Sequence, residues 1–386
     1  MVNPRLRLAP LAGALALLLH AAVASALTAA EVAIVANRSL PASLDVATRY
    51  RQLRGIPQEN VVALPLSKRP AISRAEYERS LAEPLRRWLA RPEHRGIRCL
   101  LLVYGVPFRI QSEYAQTEER KRVEAIDAKL DRLEQEEPDS PEIRRLRRER
   151  TRLKRLGRSD LAAVDSELAL VRLPHPLRGW LPNPLFRSTP HPPEAVRLPE
   201  GGLLTCRLDG PTPELAVALA QRALAAERRP ARGRVYLDAR GLTRGNYAPF
   251  DEAIRRAARL LRARGLSVVL EDTKRLFQPG ECPDALLYYG WYRLGHYLDA
   301  FDWAPGAVGV HLASSEAVSL RHGPYWCPEM IADGVTATVG PVAEPYASAF
   351  PPADLFLSRL VEGEYTLVED YFLALPHLSW RMVLVG

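Results

Sequence analysis

Two short blocks of this 386-residue chain carry the residue types that could do chemistry. The first, Leu286-Leu287-Tyr288-Tyr289-Gly290-Trp291-Tyr292, is an apolar run that breaks at aromatic residues; the second, Ala307-Val308-Gly309-Val310-His311-Leu312-Ala313-Ser314-Ser315, ends in two hydroxyls. Both read as buried strands that deliver polar groups to one edge of a sheet. Ligands of open parallel sheets sit beyond the carboxyl ends of strands, which makes Trp291, Tyr292, Ser314 and Ser315 candidate site residues. The residues just past the other expected strands add Asn37, Gly105, Asp209, Asp238, Arg240, Asp272 and Glu344. In a parallel sheet these ends converge on one rim, and a rim with carboxylates, an arginine and an aromatic can bind a polar ligand or move a proton. Asp and Gly at such places are also ordinary turn formers, so the set carries more weight than any member.

Ser314 is the candidate nucleophile, and a serine hydroxyl needs a positioned base. His296, His311 and the rim carboxylates are the available bases, but His311 stands three residues earlier on the same strand and should point to the opposite face. No Gly-x-Ser-x-Gly turn is present to support a serine hydrolase. A carboxylate pair such as Asp238 and Glu344 is the other hydrolytic option. Neither HExxH nor clustered ligand spacing occurs, so no metal or cofactor is expected.

These residues need a scaffold. Short apolar runs at 32–36, 61–64, 99–106, 203–208, 234–237, 266–270, 285–289, 308–313, 336–339 and 382–385 read as strands. Helical patterns lie between them at Pro41 to Arg54, from Ser73 as cap through Leu81, Leu85, Trp88 and Leu89, at Pro213 to Glu227, and at Phe250 to Arg264 with Ala253, Ile254, Ala257, Leu260 and Leu261 inward. That alternation predicts an α/β fold of two doubly wound βαβ halves, 27–230 and 231–386, with mainly parallel sheets. Residues 116–158 interrupt it with dense mixed charge. Apolar residues at Val123, Ile126, Leu130 and Leu133, then at Ile143, Leu146, Leu153 and Leu156, predict an inserted helical hairpin turning at Pro138 to Pro141. A protein-binding arm is one reading of it and a solvated decoration the other. The proline-rich stretch 174–199, with His175, Trp180, Asn183 and His191, is an irregular loop.

Arg5 and Arg7, an apolar core from Leu11 to Leu19 and Ala24-Ser25-Ala26 form a secretory signal peptide over 1–26. Export to the periplasm or medium is therefore expected, with no membrane span after cleavage. The net charge of +8 falls by two with the signal, and much of the excess lies in the hairpin. Its basic run has no interleaved aromatics for stacking bases, which argues against nucleic acid. Cys99, Cys206, Cys282 and Cys327 have no metal-like spacing; buried free thiols are expected, with Cys282 and Cys327 the pair to check for a bond.

The blocks Arg207-Leu208-Asp209-Gly210-Pro211-Thr212, Tyr236-Leu237-Asp238-Ala239-Arg240-Gly241, Tyr289-Gly290-Trp291-Tyr292, Pro305-Gly306-Ala307-Val308-Gly309 and Val342-Ala343-Glu344-Pro345-Tyr346 together resemble an uncharacterised family of exported bacterial proteins associated with the exosortase sorting system. That family tends to continue with an Asp-Pro-Leu-Tyr block, which would place one more rim carboxylate beyond Gly386. The layout is also distantly similar to gingipain- and caspase-like cysteine peptidases, in which a His-Gly pair ends one strand and a cysteine ends the next. That similarity implies a caspase-like scaffold, with Trp291 where the histidine would stand and Ser314 where the cysteine would stand. Tryptophan cannot act as a base, and serine lacks the thiolate that makes cysteine reactive. The resulting expectation is a pseudoenzyme: a non-hydrolytic binding or accessory protein for a peptide or polysaccharide group in an envelope or sorting pathway.

Overall fold

The computed structural model describes residues 27–113, 118–137, 139–157, 160–190, 196–228, 232–291 and 293–386. The expected signal peptide, His191 and Tyr292 lie outside the described residues. Ten strands, one for each apolar run, form a single sheet: β1 (Val32–Asn37), β2 (Val61–Leu64), β3 (Cys99–Val103), β4 (Leu204–Leu208), β5 (Arg234–Ala239), β6 (Val268–Asp272), β7 (Cys282–Gly290), β8 (Phe301–His311), β9 (Ala337–Pro341) and β10 (Met382–Val385). Their order is β6-β5-β7-β8-β9-β10-β4-β3-β1-β2. The protein is thus mixed α/β with a large, mainly parallel sheet.

Every described pairing in this sheet is parallel except β9 with β10, where Val339 faces Leu384 in antiparallel register. That one reversal divides the sheet into two parallel blocks that run in opposite directions. The carboxyl ends of β5, β7, β8 and β9 therefore lie at one edge, and those of β1, β3 and β4 at the other. The single rim expected from the sequence does not form: Asn37, Gly105 and Asp209 are separated from Asp238, Trp291, Ser314 and Glu344. The cause is β10, which returns from the far side of the chain and pairs in parallel with β4 through Val385 and Arg207.

Helices cover both faces: α1 (Pro41–Arg54), α2 (Glu118–Glu136), α3 (Pro141–Gly157), α4 (Pro213–Glu227), α5 (Ala248–Ala263), α6 (Trp326–Asp333), α7 (Ala353–Glu362) and α8 (Leu367–Ala374). Alternation along β1 sends Ile34 and Ala36 into the cluster that holds Val46, Ala47, Leu101 and Leu219, and Ala33 and Val35 into the one that holds Leu81, Leu85, Trp88 and Leu102. Ser73 caps a further helix that begins at Arg74, its hydroxyl accepting from Glu76 N at 3.1 Å. Leu260 differs from expectation: the buried face of α5 runs through Ala253, Ile254, Ala257, Ala258 and Leu261, and Leu260 stands outside it, 42% exposed. Helices α2 and α3 pack on each other through Ile126, Leu130, Ile143 and Leu146. All four cysteines are buried free thiols, Cys282 and Cys327 included. Among the described residues no helix is long and apolar enough to cross a membrane.

Candidate functional site

The edge where β5, β7, β8 and β9 end holds most of the residues singled out. Trp291, directly after β7, is 4% exposed and its Nε1 donates to Asp251 Oδ1 at 2.8 Å. Asp251 is fully buried, and its other oxygen accepts from the backbone N–H groups of Arg240 and Leu242 at 3.1 and 2.6 Å. Tyr247 and Phe250 pack on the indole, and the Arg240 guanidinium lies 4.9 Å above it. Trp291 is therefore a fixed wall, held by a buried carboxylate and stacked under a cation. Asp272 is committed elsewhere, gripped by Arg255 through two bonds of 2.7 and 2.9 Å.

β8 ends at His311, so Ser314 and Ser315 stand in the following turn, where both are half-buried. Among the described residues neither hydroxyl makes a hydrogen bond to a side chain. His311 cannot supply the missing base. Its Nε2 accepts from Arg293 N at 3.4 Å, which puts the ring proton on Nδ1, 3.2 Å from Glu316 Oε1. Burial pushes the imidazole below its usual range while Glu316 pulls the other way, so the ring is neutral and both nitrogens are engaged. Glu316 also accepts from Trp326 N at 2.9 Å, and the Trp326 ring stacks on His311 with centroids 3.7 Å apart. Glu316 was not visible in the sequence pattern, because it enters through the loop after β8 and not from a strand end.

Asp238, the last-but-one residue of β5, faces Gly290 of β7. It is 2% exposed, its Oδ1 has no partner among the described residues, and burial pushes the carboxyl up to about 8, with Glu271 adding to the effect. At neutral pH it is largely protonated. Gly290 is what allows this close packing: a Cβ there would lie 2.6 Å from both Asp238 Cβ and Tyr288 Oη. Gly290→Ala is expected to lower stability by about 1–3 kcal/mol through overpacking, read as a drop in thermal midpoint. An unchanged midpoint would mean that the strand pair has slack that these contacts deny.

At the opposite edge Asp209 belongs to a buried ion network. Its oxygens take Arg207 at 3.0 Å and Arg321 at 2.6 Å, while Arg207, fully buried, also pairs with Asp165 at 2.7 Å and donates to the carbonyls of Val106 and Pro107. Tyr104 closes it, its ring 4.1 Å from the Arg321 guanidinium. Asn37 there is a loop clamp, donating to the carbonyls of Ser67 and Gly105.

Glu167 and Ser379, beside the start of β10, were not visible in the sequence pattern. Glu167, 1% exposed, accepts from Ser379 Oγ at 2.5 Å and pairs with Arg74 at 2.5 Å and His175 at 3.2 Å. Burial alone would raise its pKa, but His175, Arg74 and Ser379 outweigh it and hold the carboxyl below its usual range. Ser379 has φ +51°, a left-handed conformation rare for residues other than glycine. Nearby, Trp180, 40% exposed, packs against Tyr346, His377 and Trp380 at 5.1 to 5.4 Å. Glu344 is exposed on the same loop as Tyr346, and its carbonyl accepts from Arg381. Of the residues here the sequence singles out Glu344, by its place past a strand, and Trp180 and His175, by their place in a long loop.

Taken together, the β5–β9 edge offers an indole wall, two hydroxyls, an arginine and a half-exposed aromatic group, and among the described residues neither Ser314 nor Ser315 is joined to a base; the one serine hydroxyl there that meets a carboxylate is Ser379, bonded to Glu167. Among the described residues no group of His, Cys, Asp and Glu is arranged to hold a metal ion. Comparison with family models, with curated proteins and with solved structures finds no match to this chain.

Proposed function

We propose that this chain is an exported binding or accessory protein, akin to the exosortase-associated family it resembles, and that its β5–β9 edge recognises a peptide or polysaccharide group without cutting it. The observation that supports this most is the pair Trp291 and Ser314. By the resemblance alone they correspond to the two dyad positions of a caspase-like peptidase; the indole is spent on Asp251, and the Ser314 hydroxyl meets no base among the described residues. Half-exposed Trp180 and Tyr346 add aromatic surface of the kind that contributes large contact area at low entropic cost.

The test has two arms. A fluorophosphonate probe is expected to label the intact protein no more than Ser314→Ala; stoichiometric labelling that disappears in Ser314→Ala would overturn the reading in favour of a serine hydrolase. Sedimentation with lipid-free envelope polysaccharide is expected to retain the protein, and Trp180→Ala, at a half-exposed ring, to reduce that retention at least about tenfold, the scale of one lost aromatic anchor. Retention that ignores Trp180 removes this edge as the binding surface.

A further inference from the structure

A strongly one-sided charge lies on α3, outside the edge residues named above. Pro141–Gly157 carries seven arginines and one lysine against two glutamates. Its two flanks are not equivalent. On one, Arg147 pairs with Glu134 at 2.8 Å, and Arg150 and Lys154 share Asp127 at 3.0 and 3.7 Å, so two acids of α2 offset most of the charge of these three cations. On the other, Arg145, Arg148 and Arg152 follow one another at the three- and four-residue spacing of a single helix face. With Arg122 of α2 and with Glu149 and Leu153 they line an open groove of about 400 Å³. Glu149 is taken by Arg122 and Glu142 by Arg145, while Arg148 and Arg152 have no ion pair among the described residues.

The chemistry of this flank narrows the partner. Neither α2 nor α3 contains an aromatic residue, which removes the stacking platform that single-stranded nucleic acid uses. The apolar residues Ile126, Leu130, Ile143 and Leu146 are spent on holding the two helices together, so the flank offers no buried anchor of the kind that dominates protein–protein contacts. Recognition there rests on guanidinium charge, and guanidinium groups suit phosphate oxygens. A surface of closely spaced anionic phosphates complements it best.

We propose that the Arg145–Arg148–Arg152 flank, with Arg122, docks the protein onto an anionic phospholipid surface, electrostatically and without insertion. Each arginine near such a surface contributes to the attraction, and salt screens it. The helix pair then serves as a tether, independent of what the β5–β9 edge binds.

The experiment is vesicle co-sedimentation of the exported chain at low and high salt. Binding is expected to vesicles containing phosphatidylglycerol and not to pure phosphatidylcholine, falling steeply as salt rises. Arg145→Ser/Arg148→Ser/Arg152→Ser is expected to weaken it about 100-fold. Arg147→Ser/Arg150→Ser, on the acid-paired flank, should weaken it far less, and circular dichroism of both variants checks that the helices persist. Equal binding to both vesicle types, or equal losses in the two variants, would overturn the proposal. So would tight binding of soluble polyphosphate without vesicle binding, which would assign the flank to a free polyanion.

Discussion

Arg207→Ala is expected to cost about 3–5 kcal/mol of unfolding free energy. The reason is what remains behind. Arg207 is fully buried and serves Asp165, Asp209 and the carbonyls of Val106 and Pro107 at once. Its removal strands the Asp165 carboxylate and two carbonyls in a medium that cannot solvate them, and leaves Asp209 with Arg321 and Gly210 N alone. Arg321→Ala, which leaves Arg207 in place and removes a partner that is itself a quarter exposed, should cost much less. Denaturant midpoints measure both. If Arg207→Ala loses under about 1 kcal/mol, the network is not paired as described; if Arg207→Met combined with Asp165→Leu recovers most of the loss, the cost lay in the stranded charge and not in the missing arginine.

The second large effect concerns pH. Burial pushes Asp238 up to about 8 from an ordinary carboxyl value of 3.8. Below pH 3.8 folded and unfolded chains both hold the proton, and the residue costs nothing. Between 3.8 and 8 the unfolded chain ionises while the folded one does not, so stability falls as pH rises, by about 1.4 kcal/mol per unit at most; above 8 the loss is complete, on the order of 5 kcal/mol. Asp238→Asn keeps the shape and removes the proton. The variant is therefore expected to match the parent near pH 4 and to exceed it by several kcal/mol at pH 8.5. Asp370, also pushed up to about 8 by burial, should leave the variant with a residual slope of the same sign. Identical unfolding midpoints at pH 8.5 would show that Asp238 ionises freely in the folded protein.

Much of the scaffold was legible because its signals are local. Each of the ten strands announces itself as an apolar run, and α1 and α4 begin and end where Pro41 and Pro213, at first helical positions, and their apolar spacing say they should. What the sequence withheld is direction. Nothing in Met382 to Val385 distinguishes a strand that continues the parallel order from one that reverses it, because the pattern of burial is the same either way. That reversal decided which strand ends share an edge, and so removed Asp209 from the company of Asp238 and Glu344. The site partners were hidden for a related reason: Asp251 reaches Trp291 from 40 residues away and Glu167 reaches Ser379 from 212, contacts that no spacing rule encodes.

The position of β10 also bears on how the molecule is assembled. It comes last of the ten strands in the chain yet stands sixth across the sheet, touching β9 through Thr338 and β4 through Arg207, about 180 residues earlier. In a chain delivered amino-terminus first, both blocks can form while the slot between them stays open, each presenting a raw strand edge to whatever is near. Closure waits for four residues and for contacts of very long sequence separation, which are slow to find. The interval before β10 arrives is when this protein is most in need of a holding partner.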